Sequence, residues 1–160
     1  MTQEQLRDIF DYKDGQLIWK ESRQSAKYGR IVGKPNAAGY IRIYINSKRI
    51  MAHRLIWMFH NGDIPVGLDI DHINGLRNDN RIENLRVATR CQNQCNRPKF
   101  KNNKSGYKGV YLDKSRNKWR ARITVNKKVN HLGLFDTPEE ASIEYNKASI
   151  QYHKEFSKSC

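Results

Sequence analysis

The sequence predicts an α+β fold in two modules, and three observations predict it. Short β-rich runs, clearest at Tyr40–Ile45 and Lys118–Val125, share the chain with segments of helical character at Ala52–Asn61 and after Thr137. The runs are separated by tight-turn signals such as Asp14-Gly15, Asn46-Ser47-Lys48 and Asp113–Asn117, which pair neighbouring strands antiparallel. The charge is unevenly distributed: residues 1–96 carry 15 Lys/Arg and 10 Asp/Glu, residues 97–131 carry 12 against one, and residues 132–160 carry 3 against 5. A chain of 160 residues accommodates one medium domain or two small ones.

Residues 2–10 suit a short helix with Leu6, Ile9 and Phe10 on one side. Asp14-Gly15 then turns the chain into a strand at Gln16–Lys20, and residues 21–38, polar and glycine-containing, read as irregular. Tyr40–Ile45 and Arg49–Met51 form a hairpin. Ala52–Asn61, without a breaker and rich in large apolar residues, reads as a buried helix stopped by Gly62 and the Ile64-Pro65 step. Trp57 and Phe59 are core aromatics, His53 opens this helix as a structural residue or at most a support one step behind the site, and His60 packs at its end.

The second module begins with Lys108–Leu112, a turn at Asp113–Asn117, the strand Lys118–Val125 and a short strand at Val129–Leu132. Period-two alternation puts Trp119, Ala121, Ile123 and Val125 on one face and Lys118, Arg120, Arg122 and Thr124 on the other. Thr137, Pro138 and Glu140 form a helix start with a capping box. Ala141, Tyr145, Ala148 and Tyr152 then recur at helical spacing against the sheet's apolar face. The expected organisation is 1–96, a basic linker or arm at 97–105, and 106–160.

Composition excludes several classes. The net charge is +14, the charged fraction 29% and the mean hydropathy −0.87. No apolar run approaches the roughly 18 residues a membrane-spanning helix requires. MTQEQLRDIF lacks the basic start and apolar core of a secretory signal, so a cytoplasmic location is expected, with no membrane partner. Three cysteines make no disulfide framework, and no disulfide-linked partner is expected. Cys91 and Cys95 lack the further ligands that a four-coordinate zinc site needs, so buried free thiols are expected. Cations interleaved with aromatics and a strand pattern, concentrated in one segment, are the footprint of nucleic-acid binding.

The chemistry lies between Asp69 and Asn96. Its dense acids and amides, punctuated by Ile, Leu and Val, imply a hydrogen-bonded turn between two short strands, with a helix capped by Thr89 presenting Asn93. Asp71 and His72 are neighbours on a strand and point to opposite faces, which assigns one to metal ligation and the other to proton transfer.

Asp71-His72-Ile73-Asn74-Gly75, Asn78 to Asn80, Glu83-Asn84-Leu85-Arg86 and Asn93 resemble the HNH endonucleases of phage and intron origin. Gly39-Tyr40 and His53-Arg54-Leu55 extend the resemblance upstream, and Asn84 and Asn93 follow His72 by 12 and 21 residues. The resemblance implies a ββα-metal fold, a hairpin and helix gripping one divalent ion, Mg²⁺ or Mn²⁺, in a phage-type or homing-type endonuclease of the host cytoplasm. It makes His72 the general base, Asn84 the residue orienting the His72 ring, and Asp71 and Asn93 the metal ligands. The third motif letter is here Asn93 rather than His. That departure motivates a second reading, a non-catalytic DNA-binding regulator on an HNH scaffold. A structured-RNA binder is a third.

Gly106-Tyr107-Lys108-Gly109-Val110, Lys118-Trp119, Ala121, Ile123, Leu132-Gly133, Phe135, Glu139-Glu140-Ala141, Tyr145, Ala148 and Phe156 resemble the plant ethylene-response-factor (Apetala-type) DNA-binding domain. That domain is a three-stranded antiparallel sheet plus one helix, and its sheet lies in the major groove of double-stranded DNA. By position, Tyr111, Asp113, Arg120, Arg122, Thr124 and His131 would face DNA, Lys118 on the same sheet face is expected to bind DNA as well, and Lys114, Arg116, Lys127 and Lys128 would contact phosphates. Tyr111 and Asp113 stand where that family has arginines, and His131 where it has tryptophan, so no base preference carries over.

Overall fold

The computed structural model describes residues 1–21, 28–45, 47–96 and 103–157. The chain divides into two compact units, Met1–Thr89 and Arg90–Cys160.

In the first unit, helix α1 (Gln3–Ile9) starts from a capping box: Thr2 Oγ1 accepts from Gln5 N and Gln5 Oε1 from Thr2 N. Phe10 ends α1 and opens β1 (Phe10–Lys13), which pairs antiparallel with β2 (Gln16–Trp19). Asp14 and Gly15 both have positive φ, 47° and 81°, as a two-residue hairpin turn of the right twist demands. A sheet of β3 (Lys34–Pro35), β4 (Ile41–Ile45) and β5 (Lys48–Met51) follows, in that order. β3 lies inside the stretch expected to be irregular; two residues, one of them proline, are too few to show a strand period.

Helix α2 (Ala52–Asn61) continues directly from β5 and ends at Gly62 as expected. Its Ala52, Leu55 and Ile56 share one core with Leu6, Phe10, Leu17, Ile43, Ile45, Ile70 and Leu85. Full burial of each large aliphatic side chain contributes about 1.5–3 kcal/mol. Trp57 and Phe59 pack half-buried onto this core, and the Phe59 carbonyl accepts from Gln3 Nε2 and Arg7 Nε, tying α1 to α2. His60 stands edge-on to Tyr12, with ring centroids 4.5 Å apart. The unit closes with β6 (Asp69–His72) paired antiparallel to β7 (Leu85–Ala88).

The second unit opens with α3 (Arg90–Cys95), the helix expected to end the first module. Most of the expected linker, 97–102, lies outside the described residues. Asn103–Ser105 is a tight turn: Asn103 Oδ1 accepts from Ser105 N and Gly106 N, and Ser105 Oγ donates to Val110 O. Strands β8 (Val110–Asp113), β9 (Lys118–Val125) and β10 (Lys128–Phe135) form an antiparallel sheet with β9 central, and α4 (Pro138–His153) packs on one face. β10 is longer than the expected Val129–Leu132 because a bulge between His131 and Gly133 lets pairing continue to Phe135.

Thr137 and Glu140 form the expected capping box, and Ala141, Tyr145 and Ala148 are buried. Tyr152 is a correction: it is 48% exposed, and Phe156 is buried instead, brought back by a 3₁₀ turn at Lys154–Phe156. The thiols are a second correction, since Cys91 is exposed and Cys95 half-buried, both free. A six-residue helix with no fully buried residue cannot enclose them.

Candidate active site

β6 and β7 carry alternating apolar residues that anchor a hairpin in the core, and the loop between them gathers the acids and amides. Asp71 and His72 close β6, facing Arg86 and Leu85 across the ladder. The loop is fastened at its base, where Ile73 N donates to Asn84 O at 2.9 Å and Gly75 N to His72 O at 2.8 Å. Asn84, buried at the end of a 3₁₀ turn (Ile82–Asn84), fastens its interior. Its Oδ1 accepts from Asn74 N at 3.0 Å, while Nδ2 donates to Asn74 Oδ1 at 3.0 Å and Asp79 O at 2.7 Å.

These bonds correct one expectation. Asn84's two amide hydrogens are committed to the loop, and the His72 ring meets a different residue. His72 Nε2 lies 2.9 Å from Oδ1 of Asn80, which is 2% exposed. The sequence places Asn80 among the motif residues without giving it this contact. Its one signal there is its place in the Asn78–Asn80 cluster.

The first hairpin braces this loop. Tyr12 Oη accepts from Ile82 N at 3.0 Å, and a Cβ placed on Gly15 would lie 2.7 Å from Arg81 N. Asp79 receives Arg81 Nε at 2.9 Å and Nη2 at 2.8 Å, and this hydrogen bonding holds the Asp79 carboxyl well below the usual carboxylate range.

Rings from three elements meet at His72. The His53 ring from α2 stands edge-on to it at 5.0 Å, and Tyr40, ahead of β4, lies 6.0 Å from His72 and 5.5 Å from His53. Arg77 caps the Tyr40 ring at 5.1 Å while donating to Ala38 O at 3.0 Å. Burial, then the proximity of His72 and Arg54, pushes the His53 imidazole down to about 3. His53 Nδ1 is buried without a hydrogen-bond partner among the described residues. The sequence reads His53 as structural or, at most, as supporting the reactive residues from behind, and its ring lies directly against His72.

Asp71 is buried beside Arg86, whose Nε donates to its Oδ2 at 3.0 Å and whose Nη2 lies 3.0 Å from the same oxygen. Asn93 is half-buried on α3, in the second unit. Asp71, in the first unit, offers a carboxylate oxygen, the donor class preferred by a hard cation such as Mg²⁺ or Mn²⁺, which binds through one or two carboxylates and completes its shell with water and phosphate. Among the described residues, no group of three or more His, Cys, Asp or Glu is arranged to hold a metal alone.

In the second unit the sheet face opposite α4 carries the expected cations. Arg122 and Thr124 are exposed on β9 and His131 on β10, with Lys118 and Arg120 half-buried. His131 pairs with Arg122 in register. Lys114, Arg116, Lys127 and Lys128 are exposed in or beside the two turns. The Arg122 guanidinium lies 4.3 Å above the Tyr111 ring, and Lys118 pairs with Asp136 at 2.8 Å. Asp113 is a correction to the expected DNA-facing set. It accepts from Ser115 Oγ at 2.7 Å, pairs with Arg116 at 3.3 Å and bonds Arg120. Ser115's bond, with Arg120's bond and charge, holds the Asp113 carboxyl down to about 2. A carboxylate shared in this way positions arginines instead of presenting itself to a phosphate-rich ligand.

Comparison with known proteins places this site in a family context. Residues 51–95 match the HNH endonuclease family model. The chain is 33% identical over 106 residues to "Protein 3.8" of Escherichia phage T7, covering 66% of this chain and 87% of that protein. It is 30% identical over 132 residues to "Uncharacterized HNH endonuclease L560" of Acanthamoeba polyphaga mimivirus, covering 82% of this chain and 66% of that one. A 46-residue stretch is 46% identical to "Uncharacterized gene 5.3 protein" of Enterobacteria phage T3, 46% of whose length it covers. No solved structure matches the chain.

Proposed function

Because the chain belongs to the family of phage protein 3.8 and carries an HNH endonuclease domain at residues 51–95, we propose that it is a metal-dependent DNA endonuclease. The observation that carries this reading is the buried corner holding His72 against Asn80 at the mouth of the β6–β7 loop. An amide oxygen can only accept, so the Asn80 contact keeps the proton on Nε2 and leaves Nδ1 as the basic nitrogen. His72 then takes a proton from water as the water oxygen bonds to phosphorus and the bond to the 3′-oxygen breaks. Asn84 acts one step back, by holding the loop that fixes both His72 and Asn80. Asp71 would be a ligand of one Mg²⁺ or Mn²⁺, which when bound would supply Lewis-acid stabilisation of the phosphate and the leaving oxygen, and Asn93 keeps a ligand role only as what the family resemblance implies.

The second unit is proposed as the targeting domain. Arg120, Arg122, Thr124 and His131 present the sheet face to the duplex, and Tyr111 supports Arg122 from below. Lys114, Arg116, Lys118, Lys127 and Lys128 supply phosphate contacts, which position without reading sequence. The placement of four cations in or beside two hairpin turns supports this assignment.

Plasmid incubated with the purified chain and Mg²⁺ or Mn²⁺ should be nicked or linearised, and EDTA or His72→Ala should abolish the product while duplex binding persists. Identical products from the parent and His72→Ala would refute the catalytic assignment. One observation favours the non-catalytic regulator: Asp71 already has Arg86 as its counter-charge. That reading predicts salt-sensitive binding and no metal-dependent cleavage.

A further inference from the structure

Between Glu21 and Asp63 the sequence holds eight Lys/Arg and no Asp or Glu. The fold sorts part of this run onto one surface. In the β3–β4–β5 sheet, Ile43 and Ile45 point into the core, so the alternate residues Arg42 and Tyr44 point outward. Register places Lys34 and Met51 opposite Arg42, and Arg49 opposite Tyr44. The outer face thus presents Lys34, Arg42 and Arg49 around Tyr44, which is 66% exposed.

Among the described residues no acid pairs with any of these three cations. Lys34 and Arg42 sit directly across from each other, an arrangement that costs stability when nothing neutralises it. Arg42 is half-buried, and its Nε is buried without a hydrogen-bond partner among the described residues. Alternation carries the same face back to Tyr40, whose ring is 6.0 Å from that of His72 and lies under Arg77. A row of cations and aromatics, Arg77, Tyr40, Arg42, Tyr44 and Arg49, therefore runs away from the reactive corner.

We propose that this sheet face is a second DNA-binding surface, which grips the phosphate backbone of the duplex beside the scissile phosphate. The inference rests on the nuclease reading for the word scissile but not for the binding. Substrate placement at His72 then belongs to the first unit itself, and the second unit supplies targeting. Cations spread across three neighbouring strands around an exposed aromatic suit phosphates and sugar, not base edges, so the contact is independent of sequence.

The test is the binding of the full chain, in EDTA, to a short fluorescein-labelled duplex, followed by anisotropy across a KCl series. Lys34→Gln/Arg42→Gln/Arg49→Gln should bind about tenfold more weakly at low salt. Its plot of log affinity against log salt should be shallower by about 0.9 for each phosphate that is no longer neutralised, a total of about 2–3. Arg49→Glu alone, at an exposed position, guards against misfolding: it should melt like the parent and still bind more weakly. Unchanged slope and affinity in both variants would overturn the inference. A parent that cleaves plasmid while both variants bind normally leaves the nuclease reading intact and removes only this surface. A parent that never cleaves while the variants lose slope does the reverse.

Discussion

Asn80 Oδ1 stands 2.9 Å from His72 Nε2, and both side chains are buried. The pair fixes the tautomer of the imidazole and the plane of its ring, since Oδ1 has no proton to offer. Asn80→Ala is expected to lower the cleavage rate at saturating DNA on the order of 10–100-fold, the usual cost of losing a residue that orients a reactive group. Duplex affinity should barely change. Single-turnover cleavage and anisotropy on the same preparation separate the two quantities, and a purely structural Asn80 would instead lower the melting temperature and leave the rate of the folded fraction intact.

Asn84 makes three side-chain hydrogen bonds inside the β6–β7 loop. Asn84→Ala should cost about 1.5–4.5 kcal/mol in urea unfolding of the first unit, from three bonds at roughly 0.5–1.5 kcal/mol each. A variant as stable as the parent would contradict the role of loop fastener.

Much of this centre is legible in the chain, and the limits are physical. The β6–β7 hairpin shows because Ile70, Leu85 and Val87 alternate with polar residues, and the start of α4 because Thr137, Pro138 and Glu140 are capping chemistry at fixed offsets. Asn80 is not distinguishable in advance from Asn78, because a loop has no period to say which amide turns inward. The cationic face of the β3–β4–β5 sheet is hidden for another reason. Summed over residues 1–96, its cations are largely offset by acids elsewhere in that stretch, 15 Lys/Arg against 10 Asp/Glu, and the two-residue β3 gives no signal that Lys34 will join Arg42.

His53 gives a pH dependence with a defined sign. In the unfolded chain it takes up a proton near pH 6.5, but in the folded unit burial defers this to about 3. Between these values the unfolded state binds more protons, so stability falls as pH is lowered through that window, by up to about 1.4 kcal/mol per pH unit. Melting curves from pH 7 to 4 should show the decline, and His53→Gln should flatten it. Parallel declines in the two proteins would sink the assignment.

Gly109 has φ of 73°, and a Cβ there would run into the Tyr145 ring and lie 2.8 Å from Arg122 O. Gly109→Ala should therefore destabilise the second unit by about 2–4 kcal/mol, from left-handed strain plus displacement of a core aromatic. Cooperative unfolding of the variant at the parent's midpoint would show that Tyr145 moves aside freely.

The hairpin turn at Gly15 has a bearing on how this nuclease domain can be handled. The family match begins at residue 51, yet the backbone of Asn80 and Arg81 rests against Gly15, and Tyr12 holds the amide of Ile82. A fragment cut to 51–95 would keep every motif residue and lose the wall behind them. The corner around His72 is therefore not a portable cassette: any chimera or minimised version must carry the first twenty residues with it, and a substitution at Gly15 would push on the loop behind His72 from another element.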